Sequence, residues 1–146
     1  MKNIRNRNIF VDANVIIDYL LNRKYHTENA RFLFDFAREF SVTLYICSYS
    51  FAIAYYYLRD ANVSHDIALE TLEKMFQEVK CIPVDDTVIR QALKSGFGDF
   101  EDAIQYCCAL QIPECKAIIT RNPKDFALSN VPVTTPRTFI FHQFKN

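Results

Sequence analysis

Glycine is nearly missing from this chain: among 146 residues only Gly96 and Gly98 occur. No Gly-x-Gly-x-x-Gly loop can be written, which removes dinucleotide binding, and neither a fibrous repeat nor a disordered tract fits the composition. Excess charge of one sign is also missing. Seventeen basic residues balance seventeen acidic ones, so no broad cationic surface grips nucleic acid by charge alone, and a phosphate ligand has to be held locally, for example through a metal. The densest apolar stretch, Tyr49 to Leu58, is shorter than the roughly 20 residues a bilayer-spanning helix needs, so no membrane association is expected. The charged start from Met1 to Arg7 leads into an apolar run broken by Asp12 and Asp18, unlike a secretory signal. Five cysteines (Cys47, Cys81, Cys107, Cys108, Cys115) form no Cys-x-x-Cys pair, are odd in number and sit mostly in apolar runs. They read as reduced core residues of a cytoplasmic protein. His26, His65 and His142 lack metal-ligand spacing and read as surface residues.

Half the residues are hydrophobic and 23% are charged, the balance of one globular domain spanning 1–146 with a real core. Apolar runs at Ile9 to Val11, Thr43 to Cys47, Cys81 to Val84 and Ala117 to Thr120 predict strands, with a weaker one at Val131 to Thr134. Helical spacing appears in Ala30, Leu33, Phe34, Ala37 and Phe40, again in Ala68, Leu72, Met75, Phe76 and Val79, and again in Phe100, Ala103, Ile104 and Cys107. Ser64 and Asp85-Asp86 open helices, Gly96 and Gly98 close one, and Pro113, Pro123, Pro132 and Pro136 mark turns. Strands alternating with helices need crossover connections, so the expected fold class is α/β: a three-layer α/β/α sandwich around a mostly parallel sheet of four to five strands. Phe32 and Phe36 lie off their helix's stripe, and Ser50 to Leu58 is apolar or aromatic all round. Such a helix is buried centrally or by a partner, and a homodimer is the partner expected.

The most informative segment is Ile9-Phe10-Val11-Asp12-Ala13-Asn14, a short buried strand ending on a carboxylate and turning at once into a helix. Ligands of open α/β sheets gather beyond the carboxyl ends of the strands. A second acid cluster, Asp99-Phe100-Glu101-Asp102-Ala103-Ile104-Gln105, opens another helix, with Asp99 placed as its N-cap. Asp99 and Asp102 project from one turn, and carboxylates so grouped suit a hard cation such as Mg²⁺. A third segment, Thr120-Arg121-Asn122-Pro123-Lys124-Asp125-Phe126, carries a strand into a polar turn. Asn14 is expected to cap its helix, Asp18 to be a solvated helical acid, and Arg121 and Lys124, with Arg23 as a weaker third, to contact phosphate. Tyr55, Tyr56 and Tyr57 with Arg59 could stack bases, but packing in the core or a dimer is the stronger reading.

In this order, the three segments resemble the PIN domain, a family of small metal-dependent nucleases that includes the VapC-type toxins of toxin-antitoxin pairs. Asp12-Ala13-Asn14 is similar to the family's opening motif, Asp102-Ala103-Ile104 to its third-acid helix, and Thr120 to Phe126 to its closing motif. The resemblance implies a metal-dependent endoribonuclease using Mg²⁺ or Mn²⁺ held by Asp12, Asp102 and Asp125. Asp99 would assist catalysis, and Asn14, Thr120, Arg121, Asn122 and Lys124 would contact the RNA substrate. It also implies an antitoxin protein as partner, if the chain is such a toxin. A haloacid-dehalogenase type of phosphatase also uses an Asp after its first strand, but it needs Asp-x-Asp, and Asn14 breaks that pattern.

One departure stands out. The family's second acid lies on the helix after the second strand, where this chain has Ile53, and no carboxylate occurs between Glu39 and Asp60. The alternative function is therefore a catalytically weakened or inactive module of the same fold that binds RNA or protein. If Asp99 or Glu101 compensates from the opposite side, the double variant Asp99→Asn, Glu101→Gln should lose metal affinity, and unchanged affinity in a Mn²⁺ titration would refute that compensation.

Overall fold

The computed structural model describes residues 7–144. The charged start, up to Asn6, falls outside the described residues. Five strands form one parallel sheet in the order β3-β2-β1-β4-β5: β1 Asn8–Val11, β2 Thr43–Cys47, β3 Lys80–Ile82, β4 Cys115–Ile119 and β5 Val133–Thr134. Among the described residues seven α-helices accompany them: α1 Ala13–Leu20, α2 Thr27–Phe40, α3 Tyr49–Asp60, α4 His65–Glu78, α5 Asp86–Leu93, α6 Phe100–Ala109 and α7 Pro136–Gln143. The expected α/β sandwich is what forms, with every strand pair parallel.

Strand β1 explains the layering. Its side chains alternate across the sheet, and Ile9, Phe10 and Val11 are all fully buried, as a central parallel strand covered on both faces requires. Ile9 and Val11 join Leu44, Ile46, Ala117 and Ile119 beneath residues of α1, α2, α4 and α7, including Val15, Leu33, Phe34, Met75 and Phe139. Phe10 faces the opposite layer with Ile118, Val88 and Ala92 of α5, and Ala103 and Cys107 of α6. Strand β1 thus connects outward to β2, while β4, on its other side, connects to β5. The carboxyl ends of β1 and β4 therefore flank the point where the winding reverses, the place such sheets use for ligands.

Several boundaries follow local chemistry. Ser64 caps α4 by accepting from the Ile67 N–H at 3.3 Å, and Asp85 caps α5 by accepting from the Val88 N–H at 3.0 Å. Gly96 has φ +80° and turns the chain after α5. Strand β3 begins one residue earlier than the apolar run suggests and stops before Pro83, which has no N–H for the ladder. Helix α7 was not legible as a helix: Pro136 reads as a turn, yet it occupies the first helical turn behind a Thr135 cap whose Oγ1 accepts from the Thr138 N–H at 3.1 Å.

The aromatic helices need correction. Helix α3 is not centrally buried; it buries Ser50, Ala54 and Leu58 and leaves Tyr56 65% exposed. Tyr57 is also exposed, and Tyr55 is half-buried against His65, so core packing does not account for the tyrosine triplet. Phe36 is buried against Phe40, Phe139 and Phe144, whereas Phe32 faces outward. On α4, Phe76 is exposed although it continues the apolar spacing, because Met75 and Ala68 occupy the buried side. Cys47, Cys107 and Cys108 are buried, Cys81 and Cys115 are half-buried, and all five are free thiols. No helix among the described residues is long and apolar enough to cross a membrane.

Phe10 joins the central strand to the whole α5–α6 layer, so Phe10→Ala should destabilise the fold by about 3–5 kcal/mol, read as a lowered midpoint in urea unfolding.

Candidate active site

The site is built from the end of β1. Asp12 leaves the strand as the residue preceding α1, with its N–H donated to the Ile119 carbonyl at 2.9 Å and its own carbonyl accepting from Val15 and Ile16. Its side chain is 2% exposed. Oδ2 accepts from the Thr120 hydroxyl at 2.7 Å, and Oδ1 has no hydrogen-bond donor among the described residues. Burial pushes the Asp12 pKa up, while the Thr120 hydroxyl, the Gln105 side chain and the N–H groups of Asn14 and Ala13 pull it back.

Gln105 is a residue that motif reasoning passed over. It is 2% exposed on α6, and its Oε1 accepts from the Ala13 N–H at 2.8 Å. That bond satisfies one of the open donors at the start of α1 and clamps α6 beside the end of β1. Asn14 consequently does not cap the helix: α1 starts at Ala13, behind Asp12, and Asn14 sits half-buried in the first turn. The available signal was a buried-type position occupied by an amide three residues after Asp102.

The clamp brings the first turn of α6 to Asp12. Asp99 caps that helix as expected, its Oδ1 accepting from the Asp102 N–H at 3.0 Å. Asp102 is half-buried, and its pKa is pushed up to about 7 by burial first and then by the negative charges of Asp99, Asp12, Asp125 and Glu101. Glu101 is also shifted upward, by burial and then by Asp99 and Asp12. Acids from three distant segments thus act on one another at a single sheet edge.

The closing segment is organised by Thr120. Its Oγ1 donates to Asp12 and accepts from the Asn122 N–H at 3.2 Å, and the Asn122 carbonyl in turn accepts from the Asp125 N–H at 3.0 Å. Phe126, 2% exposed, anchors the turn of 3-10 helix that carries Asp125. Thr120 is itself 1% exposed, so it orients Asp12 from within rather than facing outward. Asn122, Lys124 and Asp125 are exposed.

Asp18 overturns its expectation. It is 1% exposed, not solvated, and its Oδ2 lies 2.9 Å from Arg121 Nε while Oδ1 lies 3.6 Å from an Arg23 nitrogen. Burial raises its pKa, and Arg121, then His26 and Arg23, oppose the rise. The helical face it shares with Asn14 points inward because Val15, Ile16 and Ile17 bury α1 almost completely.

With this geometry in place, the sequence model of the PIN domain family matches residues 8–124. The chain belongs to the PIN domain family. That stretch contains Asp12, Asp99 and Asp102 and ends one residue before Asp125. Among solved structures, the Mycobacterium tuberculosis VapC20 toxin, described as cleaving the sarcin-ricin loop, is similar to this PIN domain with a TM-score of 0.58. The two are 14% identical, over 75% of this chain and 86% of that one. VapBC2 from Rickettsia felis, solved bound to a DNA fragment from its promoter, aligns with a TM-score of 0.60 and 12% identity over 87% of this chain and 96% of that one. No curated protein sequence matches it significantly.

The donor set of this PIN domain suits a hard divalent cation: carboxylates only, one of them with a buried oxygen that no group among the described residues satisfies. Among the described residues, however, no three acids, imidazoles or thiols are gathered tightly enough to hold an ion in the arrangement present. Uncompensated like charges favour that spacing.

A pH dependence follows. The raised Asp102 value means that the folded chain keeps a proton which the unfolded chain has released, from the ordinary value of 3.8 up to about 7. Asp102 therefore favours the fold less as pH rises through that window. In metal-free buffer the melting temperature of the wild type should fall more between about pH 5 and pH 8 than that of Asp102→Asn, as read by scanning calorimetry.

Proposed function

We propose that this PIN domain, spanning residues 1–146, is a metal-dependent endoribonuclease. The observation that carries the reading is the convergence of negative charge from Asp99, Asp12, Asp125 and Glu101 on Asp102, at the strand edge where the winding reverses. Five acids there cost stability unless a cation offsets them, a cost that a purely structural edge has no reason to carry. The similarity to VapC20 supports RNA as the substrate class. The similarity to VapBC2 supports a role as the toxin of a toxin-antitoxin pair, with an antitoxin protein as partner.

Asp12, Asp102 and Asp125 would hold Mg²⁺ or Mn²⁺, with Asp12 offering the oxygen that has no protein donor. When bound, such an ion lowers the pKa of a coordinated water and offsets charge on a phosphodiester. The chain's own contributions are separate. Thr120 holds Asp12 at a fixed angle, and Gln105 fixes the distance between α1 and α6. Asp102, shifted to about 7 while no cation offsets its acidic neighbours, is the group whose charge a bound cation would restore. Lys124, exposed beside Asp125, supplies positive charge for the phosphate. Asn14 and Asn122 lie at the rim as amide partners for the strand.

The second reading, a weakened binding module, is favoured by one observation: α3 carries Ile53 where the acid set would be completed, and its one carboxylate, Asp60, stands at the helix's far end. Under either reading the protein is taken to work in the cytoplasm with its five thiols free. The exposed aromatics on α3, α4 and α7, including Tyr56, Phe76 and Phe141, support a homodimer or an antitoxin contact.

Purified protein incubated with structured and unstructured RNA should cleave it in Mn²⁺ and stop in EDTA. Asp12→Asn and Asp102→Asn should each reduce cleavage by at least about 100-fold. Full activity in either variant would sink the mechanism, and saturable Mn²⁺ binding without cleavage would favour the second reading.

A further inference from the structure

Beyond the carboxylates, the carboxyl edge of the sheet holds a second feature that the proposed reaction does not use. A cavity of about 210 Å³ opens between α1, α2 and α7, lined by Asp18, His26, Asn29, Arg121, Thr135 and Arg137 among others. Its chemistry is unusual for so small a space. Asp18 is, with Asp12, one of two acids buried below a few per cent exposure among the described residues, and burying a carboxylate is costly unless it is paired. Arg121 provides the pairing as a charge contact, with Nε at 2.9 Å from Asp18 Oδ2 and without hydrogen-bond alignment. The two Nη groups of Arg121 have no acceptor among the described residues, so its outer fork remains available. Arg137 is exposed at the first turn of α7 and forms no ion pair with any described acid. Arg23 lies a further 3.6 Å from Asp18. One buried negative charge thus lies against Arg121 and Arg23, at the wall of a cavity that Arg137, Asn29 and His26 also line.

We propose that this cavity is a phosphate-binding subsite, taking a backbone phosphate of the RNA strand next to the one being cleaved. Arg121 and Arg137 are its charge partners, and Asp18 is a positioning residue that aims the Arg121 fork into the cavity. The proposal rests on the ribonuclease reading and extends it. Two features select phosphate over other anions. Two guanidinium forks match its tetrahedral oxygens. The start of α7, capped by Thr135, adds the positive end of a helix. Location selects the backbone of the same strand. Arg121 directly follows Thr120, the residue bonded to Asp12, and Asp18 lies six residues beyond Asp12 on α1, an axial rise of about 9 Å. A strand whose reacting phosphate sits at Asp12 therefore carries a neighbouring phosphate to the cavity.

The test uses the full chain in EDTA, so that binding is read without cleavage. A short fluorescein-labelled single-stranded RNA is titrated with protein across a salt series and followed by anisotropy. Arg137→Gln should weaken binding roughly tenfold, equally for different sequences, and reduce the slope of log K against log salt by about 0.7. Asp18→Asn should reduce the same slope; a merely structural Asp18 would lower the melting temperature and leave the slope alone. Should Asp18→Asn fail to fold, Arg137→Gln decides. Wild-type affinity and slope in Arg137→Gln would overturn the subsite while leaving the ribonuclease reading intact. Failure of the wild type to bind RNA at all would overturn both. RNA held with an Arg137-dependent slope, yet never cut in Mn²⁺, would keep Arg137 as a phosphate contact but defeat the hydrolase and, with it, the subsite's place beside a reacting phosphate.

Discussion

Everything in this molecule turns on one buried carboxylate. Asp12 stands at the end of the central strand with 2% of its surface exposed, where an unpaired charge is among the costliest things a protein can hold. Its compensation is local and incomplete: a hydroxyl from the next strand at 2.7 Å, helix-start N–H groups, and one oxygen left without a donor. The parallel sheet makes this arrangement available because β4 lies directly beside β1 and delivers Thr120 level with Asp12. The second layer supplies Gln105, whose bond to the Ala13 N–H ties α6, and with it Asp99, Glu101 and Asp102, to the same point. Fold and site are consequently one construction.

Much of this was legible in the sequence, and the reasons are specific. Central parallel strands are apolar on both faces, so Ile9 to Val11, Thr43 to Cys47 and Ala117 to Thr120 announce themselves. The Asp99 cap was legible because capping is a short-range bond between residues three apart. What could not be read depends on tertiary partners. Asp18 looks like a surface acid until Arg121, more than a hundred residues later, is folded onto it. Asn14 looks like a cap until Gln105 takes over the donor that a cap would have served. Helix α7 begins with a proline, which serves turns and helix starts equally well, and local pattern alone does not separate the two.

The isoleucine on α3 sets the balance of charge at the site. With Ile53 in place of an acid, the negative groups come from α6, β1 and the turn after β4, so the acidic surface is displaced toward α6. Glu101 and Asp99 both contribute to the shift on Asp102, which places this added charge on the same helix turn as the acid that it perturbs. The positive groups lie on the other flank, where Arg121 and Arg137 border the α1–α7 cavity. An anionic pole and a cationic pole thus share one edge of an otherwise electrically neutral molecule.

Order of synthesis gives the Thr120 contact a temporal meaning. A ribosome delivers the amino end first, so Asp12 emerges long before the strand that carries Thr120, separated from it by 108 positions. Until β4 slots in next to β1, the growing polypeptide has neither the hydroxyl that aims Asp12 nor the turn that bears Asp125. A chain made only as far as α6 is therefore chemically blunt, and the site is assembled only once β4 and the turn after it have been made.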